Sequence, residues 1–95
     1  MRTEDEIETA LKEVEDKVWY DRHTMLAERA RSGQTAQMDL WGGQVDVAEL
    51  HAQKIRDMYG VENLGPYTDF DWGMLCGKLS ALRWVTGSDW DELWS

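Results

Sequence analysis

Thr68-Asp69-Phe70-Asp71-Trp72-Gly73-Met74-Leu75-Cys76-Gly77-Lys78-Leu79-Ser80-Ala81-Leu82-Arg83-Trp84-Val85-Thr86-Gly87 decides the reading of this chain. Leu75, Leu79 and Leu82 recur at the three-and-four spacing of a helix, and Met74 and Val85 extend their face. The other face holds Gly73, Gly77, Ser80, Ala81 and Trp84. A helix that is apolar or small nearly all round reads as a central, buried one. Thr68 or Asp69 is placed to cap it and Gly87 to end it, which predicts a helix over 69–86. Each interior glycine costs about 1 kcal/mol relative to alanine, so some contact should offset the pair. The row of small residues lets another backbone come close. A tight helix–helix seam is expected there, with a second chain or with the protein's own first helix. Gly77→Leu should then unfold or dissociate the protein.

Upstream, Thr3 and Glu6 stand at capping-box spacing, and acidic residues fill the first turn of a long helix over 4–31. Ile7, Leu11, Val14, Val18 and Met25 form one face; Trp19, Leu26 and Ala30 form a second strip, rotated from the first. Glu8–Lys12 and Glu13–Lys17 are spaced as ion pairs, and Gly33 suits the helix end. Residues 34–45 read as a loop that packs on the body through Met38, Leu40 and Trp41. A second helix is predicted over 46–59, with Asp46 and Glu49 as its capping pair. It should carry Val47, Leu50, His51, Ile55 and Met58 inward and stop at Gly60, with Val61 making an apolar end contact. Asn63-Leu64-Gly65-Pro66-Tyr67 is a turn. A short last helix is expected over 89–94. The expected fold is an all-α bundle of three main helices, one domain over 1–95.

Charge and composition narrow the function. Ten Lys and Arg stand against nineteen Asp and Glu, a net charge of −9. A nucleic-acid binder needs clustered cations, and an anionic membrane surface needs the same, so neither is expected as partner. The acidic start, Met1 to Glu6, does not read as a signal peptide, and no run approaches a membrane span. One cysteine, Cys76, forms no internal disulfide and suits a reducing compartment, so a cytoplasmic protein is expected. Six tryptophans are many for one small core, so Trp19, Trp41 and Trp84 join Gly73, Gly77, Ser80 and Ala81 as interface candidates.

The stretch from Gly73 to Val85, with Gly87, Trp90-Asp91 and Leu93, resembles the closing segment of a family of short bacterial, phage-associated and metagenomic proteins with no assigned activity. Glu62 to Tyr67 and Val18 to His23 belong to the same pattern. The resemblance covers about half the chain and implies no catalytic residues. It has Asn where Cys76 stands and an acidic residue where Trp94 stands, which speaks against Cys76 as a required nucleophile.

No phosphate-binding loop or serine elbow is present; Gly42-Gly43 alone make neither. His23 and Glu28 are five apart, His51 and Glu49 two apart, and no Glu-x-x-His pairs occur, so no metal and no cofactor are expected. A 28-residue first helix is about 42 Å long, against about 32 Å for the diameter of a compact domain of this size. It either overhangs and is covered by a second copy, or breaks near Asp21-Arg22. The reading is a non-enzymatic interaction or structural protein acting as a homodimer. Two alternatives stand beside it. One is an acidic inhibitor that mimics nucleic acid and binds a basic protein through Glu4, Asp5, Glu6, Glu8, Glu13, Glu15 and Asp16. The other is a small enzyme with a carboxylate and His51 at a dimer cleft.

Overall fold

The computed structural model describes residues 1–31 and 42–90. Among them the fold is all-α, with three helices and no strand: α1 (Glu4–Arg31), α2 (Gly42–Tyr59) and α3 (Asp69–Val85), with a single 3₁₀ turn at Val61–Asn63. Gly33, the 34–41 part of the expected loop, and residues 91–94 of the expected last helix lie outside the described residues. Asp89 and Trp90, where that helix was to start, are not helical.

The capping chemistry of α1 and α3 follows the sequence closely. Thr3 Oγ1 accepts from the Glu6 amide at 3.2 Å, while Glu6 Oε1 accepts from the Thr3 amide at 3.3 Å. Two donors that have no partner inside the helix are thus satisfied reciprocally. Thr68 caps α3, its hydroxyl accepting from the Asp71 amide at 3.1 Å. At the far end Gly87 adopts φ +120°, and the amides of Gly87 and Ser88 bond the carbonyls of Trp84 and Arg83. That is a Schellman ending, which a residue with a Cβ would strain.

α2 departs from expectation at its start. It begins at Gly42, so residues 42–45 are helical rather than loop. Glu49 lies beyond the first turn and does not act as a capping partner; its carboxylate is held by Arg56 of α2 and His23 of α1. At the other end Gly60 stops α2 with φ +85°. Val61 is exposed there and enters the 3₁₀ turn; the apolar contact expected of it is made by the buried Leu64.

The chain divides into two compact units, residues 1–18 with 67–95 and residues 19–66. The first has a core of Val14 and Val18 from α1 and Leu75 and Leu79 from α3, with Leu11, Tyr67, Trp72 and Leu82 packed against it. The second has a core of Tyr20, Ala52, Ile55 and Leu64, with Trp19 and Tyr59 against it. α1 is one continuous helix, so the expected break near Asp21-Arg22 is absent. The shift in its apolar strip marks a change of core instead: up to Val18 it serves one, from Trp19 the other. Towards the end of α1, Met25 is exposed rather than inward as expected.

Two side-chain assignments also change. Lys12 pairs with Asp16 at 2.8 Å rather than with Glu8, while Glu13–Lys17 forms as expected at 3.2 Å. On α2 the inward residues are His51, Ala52, Ile55 and Tyr59; Val47, Leu50 and Met58 are exposed. Positions 52, 55 and 59 share the same helical spacing as the larger residues. His51 and Ile55 thus face inward as expected, and the fully buried Ala52 joins Ile55 and Tyr20 in the core, with Trp19 packed against it.

Candidate functional site

Exposure sorts the candidate interface residues. Each helical residue advances about 100° around the axis. Phe70, Gly73, Met74, Gly77, Ala81, Trp84 and Val85 fall within about 120° of arc, opposite Leu75 and Leu79. All seven are exposed, and the four large ones are between 50 and 75 % exposed. Met74 and Val85 thus lie beside the glycine row, not beside the leucines as expected. The stripe contains no charged residue. α3 is therefore not buried all round: one side closes the core of its unit and the other is an open apolar face.

The glycines are the floor of that face. A Cβ built on Gly73 or on Gly77 meets nothing within 4 Å among the described residues. The seam expected with the protein's own first helix is therefore not formed. Gly77→Leu consequently loses the reason to unfold the chain, and dissociation of a second copy is the effect that remains. Ser80 is half-buried at the edge of the stripe. Trp84 is held at one end by Trp90, whose ring meets it edge-on at 5.1 Å. An exposed aromatic pair of this kind suits an interface anchor.

On the flank of α3 that carries Lys78 and Leu82 runs an open groove of about 680 Å³. Ile7, Ala10 and Val14 of α1 supply its apolar wall, and Glu13 stands on its rim. The acids around it are largely engaged: Arg2 holds Glu6 at 2.9 Å and Lys17 holds Glu13. The Arg2 hydrogen bond, with those from Thr3, keeps the Glu6 carboxyl below the usual carboxylate range.

The remaining candidates sit in the other unit. Trp19 is half-buried, stacked on His23 at 4.9 Å and met edge-on by His51 at 4.4 Å. His23 is buried, and its Nε2 donates to Glu49 Oε2 at 3.2 Å. Arg56 donates to Glu49 Oε1 at 2.7 Å and to the Tyr20 hydroxyl at 3.2 Å, with its guanidinium over the Tyr20 ring. Arg56 and then His23 hold the Glu49 carboxyl below its usual pKa. Tyr20 and then Glu49 push that of Arg56 higher. Burial alone raises Asp21. Sequence reasoning missed this His23–Glu49–Arg56–Tyr20 chain. Its members are 26, 7 and 36 residues apart in turn, and only the packing of α2 on α1 joins them. Among the described residues no three His, Cys, Asp or Glu side chains are grouped to hold a metal ion. No described helix is long and apolar enough to cross a membrane. Trp41 lies outside the described residues.

No family model, curated protein or solved structure matches the chain.

Proposed function

We propose that the protein is a non-enzymatic interaction protein whose working form is a helical homodimer built on the outer face of α3. The observation that carries this reading is the uncharged, exposed stripe from Phe70 to Val85, with open space above Gly73 and Gly77. Contiguous exposed apolar surface of this kind marks a contact surface, because leaving it in water is unfavourable at about 25 cal/mol for each Å² that could be buried. The glycines also destabilise α3 as an isolated helix. Close approach by another helix supplies the compensating contact. A reducing, cytoplasmic setting fits the single cysteine, and the likeness to short bacterial and phage-associated proteins belongs to the same proposal.

A basic partner drawn to α1 is the weaker reading. Of its seven clustered acids, Glu6, Glu13 and Asp16 already hold Arg2, Lys17 and Lys12. Light scattering across the micromolar range tests the main reading. The wild type should give twice 11.0 kDa, and Phe70→Asp or Trp84→Asp should give a folded single chain. A single chain for the wild type at every concentration ends the proposal.

A further inference from the structure

The exposed face of α3 has a symmetry that bears on what covers it. Counted from Gly77, the stripe carries small residues four positions to either side, Gly73 and Ala81. Seven positions to either side it carries large aromatic ones, Phe70 and Trp84. All five are exposed. Over these five positions the order large, small, small, small, large reads alike in both directions; the other two residues of the stripe, Met74 and Val85, have Ser80 and Asp69 at their mirror positions. An antiparallel copy reverses the order of residues, so each position beyond Gly77 meets its mirror position before it. Phe70 then meets Trp84 of the partner subunit, Gly73 meets Ala81 of the partner subunit, and the two Gly77 backbones cross on the two-fold axis. A two-fold contact of this type uses one patch twice, which requires the patch to be self-complementary.

A parallel copy would also set like on like, so sequence symmetry alone does not choose the direction. Charge does. The first turn of α3 carries Asp69 and Asp71, and its last turn carries Arg83. A parallel pair gathers four carboxylates at one end, beside two aligned helix dipoles. An antiparallel pair places the acidic first turn of each helix near the basic last turn of the other and opposes the dipoles. Small residues at the crossing let the two backbones approach closely, which is where the open space above Gly73 and Gly77 is used.

We infer that the partner of α3 is a second copy of α3, antiparallel, crossing at Gly77, with Phe70 of each copy seated against Trp84 of the partner subunit. This rests on the proposed homodimer and adds its direction and register. The stripe from Phe70 to Val85 spans about 24 Å of helix, which makes a small interface, so the dimer forms with concentration rather than being obligate.

Cysteine cross-linking tests it. The native thiol is removed first by Cys76→Ser. In that background Gly77→Cys should form a disulfide dimer on mild oxidation, since bridged Cα atoms must lie within about 7 Å. Phe70→Cys and Trp84→Cys, oxidised as a mixture, should cross-link to each other in preference to themselves. Gly73→Cys mixed with Ala81→Cys should do the same and guards against loss of an aromatic anchor. The space above Gly77 is open among the described residues, so its variant should keep the helical circular dichroism of the parent. If light scattering gives a dimer but Phe70→Cys links chiefly to itself, or Gly77→Cys does not link, the register is overturned while the homodimer stands. If the wild type is a single chain, both are overturned.

Discussion

In the unit containing α3, four aliphatic side chains close the core, and the helix turns an uncharged apolar stripe outward. In the unit containing α2, a fully buried alanine admits two aromatic rings, and a chain from His23 through Glu49 and Arg56 to Tyr20 ties α2 to α1 across the core's edge. α2 also turns apolar residues outward: Val47, Leu50 and Met58. Lys54 stands among them on the same arc, exposed, and no glycine lies between. Exposed apolar residues are common on proteins and mean little singly. The difference teaches that an unbroken run with room at its centre, as on α3, is the informative case.

The largest effects should be equal in the two units. Leu79 and Ile55 are each 1 % exposed, one in each core. Leu79→Ala and Ile55→Ala should each cost about 2–5 kcal/mol, read by urea unfolding. A near-silent result at either position would show that its unit does not fold cooperatively with the rest. Next in size is the contrast itself. Arg56→Met removes charge-assisted bonds to Glu49 and Tyr20 and should cost roughly 1–2 kcal/mol. Lys12→Met, which removes one partner of Asp16 in the other unit, should cost less than about 1 kcal/mol, because the lysine is exposed and Asp16 keeps another interaction. Equal costs would erase the distinction between the two.

A smaller effect tests local chemistry. Thr68→Ala should destabilise by about 1 kcal/mol through loss of the cap on α3, measurable by thermal unfolding. The smallest is a pH effect on the α2 side. The Glu49 carboxyl titrates below its ordinary 4.5, first because of Arg56 and then His23. Its stabilisation is therefore full above pH 4.5 and fades as pH falls through the lowered value. Glu49 is largely exposed, so a few tenths of a kcal/mol are expected. Glu49→Gln should flatten that part of the acid limb. An unchanged limb would mean that the Arg56 contact carries no net charge stabilisation.

The helices were legible because their signals are local. Thr3 with Glu6, Thr68, Gly60 and Gly87 satisfy or stop the backbone through groups within a few residues, so α1 and α3 were bounded almost to the residue. Facing was less legible. On α2 two arcs share the helical spacing, and both carry large apolar residues: Ile55 and Tyr59 inward, Val47, Leu50 and Met58 outward. On α3 the glycine row was visible, but not that Met74 and Val85 flank it. Lys12 had acids four residues away on both sides, and the nearly buried Asp16 was the one it reached. The polar chain of the α2 unit left no trace in the sequence, since its members lie on two different helices.

Local signals in the sequence were enough for the all-α reading, for the start of α1 and both ends of α3, and for two interior glycines at one helical spacing. Those follow from backbone hydrogen bonding, capping and side-chain period, which act over a turn or two. Only the tertiary structure decided which arc each helix buries, that α1 serves two cores without a break, and that the glycine row faces outward. Those outcomes depend on which distant surfaces fill each other's volume, and a close-packed core admits a small residue such as Ala52 where it makes room for rings.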